Sequence, residues 1–150
     1  MIACNDLRTG NIILVNNCLR RVNSISNSQT LTDQALVGVE SANYEEKEHY
    51  PEADIQPVLM SEAILEQCHF TYRQHFKFWQ LITTDGVRTE MNIDSDYNFL
   101  DFMRRPVVKS IKSLHQLQNI YYMLFDKELD FDVETTVVVD GLVRSNVSLN

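Results

Sequence analysis

Cys68, His69 and His75 are the first residues whose types could do chemistry, because thiolate and imidazole ligate zinc and can also pair as nucleophile and base. A zinc site needs three or four ligands, and no fourth stands at a familiar spacing, so no metal is expected. Asp94-x-Asp96-x-Asn98 opens like a calcium loop. It then places Phe99 where glycine must turn the chain and Arg105 where a bidentate glutamate belongs, so it reads as a solvated turn. The 4 glycines stand singly, which leaves no loop to cradle a phosphate. No nucleophile, base and orienting group fall together, so no catalytic residue is nominated and the chain reads as non-enzymatic, with no cofactor.

The best candidate is a strip of amides. His115, Gln118, Asn119 and Tyr122 fall at i, i+3, i+4 and i+7 of one helical segment. Amides and a neutral imidazole both donate and accept, so they can read the polar edges of a nucleotide-like ligand without adding charge. Arg104, Arg105 and Lys109, just upstream, would offset phosphate charge. The competing reading is a helix whose amides fasten neighbouring loops through backbone hydrogen bonds. Trp79, Tyr72 and Tyr44 could stack on a base, although aromatics at such spacings usually fill cores.

The element that positions the strip is Ser113 to Phe125. Ser113 and Gln116 read as a capping box, and Leu114, Leu117, Tyr121 and Leu124, widened by Ile120 and Phe125, give the apolar stripe. Before it, Ile12-Ile13-Leu14-Val15, Cys18 to Ile25, Thr30 to Thr32 and Ala35 to Glu40 are short strands. They are joined by turns such as Asn16-Asn17, with Gly38 a bulge candidate. That pattern predicts a small curled antiparallel sheet or SH3-like barrel. Residues 43–54 read as an exposed acidic loop and Ile55 to Leu59 as extended chain. Ser61 caps a short helix from Glu62 to Cys68, with Ile64, Leu65 and Cys68 inward. Phe76 to Thr84 and Val87 to Ile93 flank Asp85-Gly86 as a hairpin with a covered first strand. Leu129 to Val133 alternates like a half-exposed strand, and Thr135 to Val139 is a further one. The expected class is α+β: the N-terminal sheet, then a short helix, a β-hairpin and an amphipathic helix. The whole of 1–150 forms a single compact domain, with lobes at 1–45 and 55–150.

Composition sets the company the chain can keep. At 150 residues and 44% hydrophobic it can bury a core without disulfides. A formal charge of −8 opposes nucleic-acid binding. Glu40 to Asp54 and Asp126 to Asp140 hold most of the acid, while Arg104 to Lys112 is the one dense basic segment. The 3 cysteines are scattered, with no CxxC pair, and no long apolar run or signal peptide is seen. A cytoplasmic protein with reduced thiols and no membrane contact is expected. The wide apolar surface of the 113–125 helix leaves a homo-oligomer open.

Asn5 to Asn11 resembles the LRxGN opening of a family of small proteins found in Bacteroidetes and their phages. Ile55 to Glu62 is similar to that family's I-x-P-I-x-L-T-E segment, and Ile111 to Leu129 to its HQLQN helix signature with a closing Glu-Leu. Phe125-Asp126 departs from it where Thr-Gly is common. The resemblance carries no activity with it. It implies a phage setting, in the host cytoplasm. The expected function is therefore a non-enzymatic binding protein acting against host defence, either sequestering a nucleotide-like signal or blocking a host protein. A structural or assembly-associated phage protein is the alternative.

Overall fold

Ile12–Val15 (β1) is apolar at every position, and all of it is buried because each of its faces meets a different hydrophobic cluster. Ile13 and Val15 face Ile2, Val22, Val37, Val39 and Ile55. Ile12 and Leu14, pointing the other way as alternate strand residues must, join Ile64, Leu65, Trp79, Ile93, Leu114 and Leu117. One strand therefore serves both lobes.

The computed structural model describes residues 1–27, 34–40, 48–83, 89–134, 136–139 and 142–145. β1 turns through Asn16 and Asn17, both at left-handed φ (50° and 61°), into Cys18–Asn27 (β2). Asparagine tolerates that region, and a two-residue turn of this hand suits the twist of a hairpin. Ala35–Val39 (β3), Glu48–Pro51 (β4) and Ile55–Gln56 (β5) complete an antiparallel sheet in the order β4-β3-β2-β1-β5. Glu62–Gln67 (α1) follows, with the Ser61 hydroxyl accepting from the Ile64 N–H at 3.3 Å. Ile64, Leu65 and Cys68 are its buried side.

A second antiparallel sheet runs β10-β9-β8-β7-β6. Its strands are Thr71–Arg73 (β6), Phe78–Thr83 (β7), Thr89–Asp94 (β8), Phe99–Leu100 (β9) and Pro106–Val108 (β10). Leu114–Phe125 (α2) and the hairpin Thr136–Val139 (β11) and Leu142–Ser145 (β12) close the described chain. The architecture is α+β, mostly sheet, with a curled antiparallel N-terminal half and two α-helices among the described residues.

Several expectations need correction. Residues 48–51 are not loop: they pair with β3 from Val39↔Glu48 to Leu36↔Pro51. The alternation of Leu129 to Val133 is real, with Leu129 and Phe131 buried, but that segment pairs with no strand among the described residues and is not one itself. β7 starts at Phe78, since Phe76 lies in the turn before it. The Thr30 to Thr32 strand and the Asp85-Gly86 and Asp140-Gly141 turns lie outside the described residues.

The bulge, too, is on the opposite strand from the one expected. Register shifts between Val22 and Ser24 of β2, and Asn23 and Ser24 lean over Gly38. A Cβ on Gly38 would stand 2.1 Å from Ser24 Oγ and 2.7 Å from Asn23 Oδ1. Gly38→Ala is therefore expected to cost about 1–2 kcal/mol, tempered by rotation of the serine. Urea denaturation would measure it, and Gly38→Ala combined with Ser24→Ala should recover part of the loss.

Candidate functional site

α2 begins where three backbone contacts converge. Ser113 bridges to Leu59, the Leu114 N–H donates to the Val58 carbonyl, and the Met60 N–H donates to the Lys112 carbonyl. The expected capping box does not form. Gln116 Oε1 accepts from the Lys112 N–H at 2.9 Å, one residue beyond the expected target, and the Ser113 hydroxyl caps no backbone N–H. It lies instead 3.5 Å from His115 Nε2. The buried stripe is also rotated. Leu114, Leu117 and Tyr121 are inside as expected, but Leu124 is 48% exposed while Gln118 is 0% exposed and His115 is buried.

What buries these polar side chains is the N-terminal turn. Asn11 Oδ1 accepts from the Arg8 N–H at 2.8 Å, which closes the turn through Gly10 at φ +92°. Gln118 then works like a strand partner: its Oε1 accepts from the Ile12 N–H at 2.9 Å and its Nε2 donates to the Gly10 carbonyl at 3.3 Å. Asn119 does the same one position on. Its Oδ1 accepts from Asn11 Nδ2 and its Nδ2 donates to the Asp6 carbonyl, both at 2.9 Å. Arg8 closes the far side with a two-pronged pair to Glu128 at 2.5 and 2.9 Å, a third bond to the Gln118 carbonyl, and its guanidinium 4.2 Å above the Tyr122 ring. The amides of Gln118 and Asn119 thus have matched donors and acceptors, which is the arrangement their burial requires, while Arg8 Nε is buried without a hydrogen-bond partner. The strip is a clasp that holds residues 6–12 on the helix.

The other nominated residues do not join it in one place. Arg104 lies over the Phe76 and Phe78 rings at 4.3 and 5.7 Å, and Arg105 is paired with Asp101. Lys109 and Asn119 do meet, across an open cleft of about 470 Å³ whose walls include Asp6, Gln116 and Ile120. One carboxylate and one ammonium face it, so the cleft has no single charge preference.

The remaining chemistry is dispersed. Cys68 is buried and its thiol is pushed well up by desolvation, with Asp130 adding to the shift. His69 faces Asp130 at 3.1 Å and His75 stands edge-on to Phe76. Asp94 turns its own loop, accepting from the Asp96 and Asn98 N–H groups. Among the described residues no group of three or more His, Cys, Asp or Glu side chains could hold a metal ion. None of the described helices is long and apolar enough to cross a membrane.

No protein-family model, no curated protein and no solved structure matches this chain.

Spacing within the helix pointed to His115, Gln118, Asn119 and Tyr122 but missed their partners Arg8, Gly10, Asn11 and Glu128. The signal for them was present, since they belong to the LRTGN opening and the Glu-Leu that closes the HQLQN block. Two blocks more than 100 residues apart, each rich in groups that donate and accept, were complementary to one another.

His115 gives a pH prediction. Burial lowers its pKa below the ordinary histidine value of 6.5, with nearby Asp6 opposing the shift. The unfolded chain then binds the proton more readily, so stability is full above that value and falls as pH drops through it, the loss completing below the folded pKa. Denaturation midpoints across this range should fall with acid in the wild type, and the part due to this side chain should vanish in His115→Phe.

Proposed function

We propose that this protein is a non-enzymatic, phage-type binding protein that acts against host defence by occupying a host protein, rather than by sequestering a nucleotide-like signal. The observation that carries the choice is the clasp. Both polar atoms of Gln118 and both of Asn119 are already bonded to residues 6–12, so a nucleotide's edges would have to displace bonds the fold itself needs. Of the three basic residues meant to meet its phosphates, Arg104 points to an aromatic pair and Arg105 to Asp101, which leaves Lys109 alone of the three on the cleft wall beside Asn119. A net charge of −8 suits a basic partner surface, to which it would steer the protein in a salt-dependent way.

Native mass spectrometry of the protein purified gently from phage-infected host cells tests this reading. A stoichiometric host protein is the expected companion. A nucleotide-sized mass excess would overturn it, as would a rise of several degrees in melting temperature with a panel of nucleotides, because a ligand that binds only the folded state must stabilise it.

A further inference from the structure

Beside the clasp lies the open cleft of about 470 Å³, within the range of about 300–1,000 Å³ that small-molecule sites occupy. Three parts of the chain wall it: the short 3-10 turn Cys4–Asp6, the segment leading from β10 into α2, and α2 itself. Both outer walls are braced from behind. The Asp6 carbonyl accepts from Asn119 Nδ2, and the Cys4 N–H donates to Glu52, which fixes the turn through its backbone. Opposite, the Ser110 N–H donates to Asn98 Oδ1 at 2.8 Å and the Ile111 N–H to the Tyr97 carbonyl at 2.9 Å, with Ser110 at a left-handed φ of 54°. Asp94 holds Asn98 in its turn, accepting from its N–H and its amide nitrogen. The segment that opens like a calcium loop is a brace for this wall.

The fold leaves the cleft's own polar side chains unused. Those of Asn5, Asp6, Lys109 and Ser110 make no hydrogen bond or ion pair with any described residue. Gln116 Oε1 is taken by the Lys112 N–H, which leaves the Gln116 amide nitrogen to donate. Asp6 and Lys109 are the charged residues of the lining, and they are opposite in sign. His115, buried near Asp6, is disfavoured in its charged form and does not neutralise that carboxylate at neutral pH. Val108, Ile111 and Ile120 add an aliphatic part that continues into the larger core.

We propose that this cleft binds a small aliphatic zwitterion, its ammonium group at Asp6 and its carboxylate at Lys109. A free amino acid such as leucine and a short peptide with both termini free share that chemistry. A simple anion or cation would meet a like charge in the cleft along with the unlike one, whereas a zwitterion matches both. Walls ordered before binding lower the entropy lost on binding. Asn119 shapes the floor without reading the ligand, because both of its amide atoms serve the clasp. Binding here therefore leaves the clasp intact, which a ligand reading Gln118 and Asn119 would not. The inference goes beyond the host-protein reading and does not depend on it.

Amide chemical shifts of the full-length, nitrogen-15-labelled protein, titrated with L-leucine and separately with the dipeptide leucyl-leucine, test it. Saturable shifts centred on residues 5–6, 108–111 and 116–120 are expected. The dissociation constant should be on the order of 0.1 mM, which is what so few ligand atoms reach. Whichever of the two binds more tightly names the source, amino acid or peptide. Isoamylamine and 4-methylpentanoate each keep the aliphatic part and one charge, and each should bind about tenfold more weakly than leucine or worse. Asp6→Asn and Lys109→Gln should weaken the zwitterion by a similar factor and leave the rest of the spectrum in place, since both side chains are exposed. No saturable shift with either zwitterion up to about 10 mM overturns the proposal. So does a one-charge analogue that binds as well as leucine, a result that needs no variant, and so does binding undiminished in both variants.

Discussion

Gln118→Leu should cost about 1–3 kcal/mol, although it replaces a buried amide by a side chain of similar size that burial favours. The reason lies on the neighbouring strand. Removing the amide leaves the buried Ile12 N–H without its side-chain partner, while the half-buried Gly10 carbonyl keeps the Arg21 guanidinium as a donor. The stranded N–H costs about 1–3 kcal/mol, against which the gain from burying extra methyl surface is smaller. The expected signature in urea is a lowered midpoint with an unchanged slope, since the surface exposed on unfolding stays the same. The companion change, Leu124→Gln, runs the opposite way on the same helix and should stay within about 0.5 kcal/mol, because Leu124 is half in solvent. If Gln118→Leu proved as stable as wild type, the clasp would not be holding β1 to the helix.

That pair of substitutions also locates the boundary of what was legible in the sequence. The three- and four-residue spacing from Leu114 placed α2 correctly to within a residue. It could not say which of two adjacent stripes faced inward, because apolarity favoured Leu124 while the backbone groups that make Gln118 welcome are more than 100 positions away in sequence. The α1 helix, by contrast, depended only on Ser61 and its own turn and came out as read. β6 and β10, three residues each, carry no alternation to detect: β6 is exposed throughout and β10 nearly so, and only their neighbours β7 and β9 make them strands. Leu129 and Phe131 show the reverse case, a strand-like alternation that packs against the core without a pairing partner among the described residues. Local signals were read well where the cause was local.

The same reasoning applies to the candidate site. Amide-rich helix faces are ambiguous in sequence because the groups that would bind a ligand are the groups that would bind a loop. A purely apolar face would let β1 and α2 slide or rotate against each other at little cost, whereas Gln118 and Asn119 accept only one register, the one that pairs them with Gly10, Asn11 and Ile12.

Gly10→Ala should then be among the most damaging changes outside the core, at about 2–4 kcal/mol. Two independent demands meet at this residue. Its φ of +92° is a conformation that an alanine adopts only under strain. An added Cβ would also stand 2.9 Å from Glu128 Oε1 and 3.2 Å from Arg8 Nη1, so the two-pronged pair must open or shift to admit it. The two contributions can be separated. Glu128→Ala alone should cost no more than about 1 kcal/mol, since that carboxylate is partly exposed and surface pairs contribute little. In the Gly10→Ala/Glu128→Ala double variant the collision with the carboxylate is gone, and the total should fall short of the sum of the single losses. Strict additivity would put the whole cost in the backbone turn. A shortfall would show that the turn and the far end of the helix are held as one unit through Arg8.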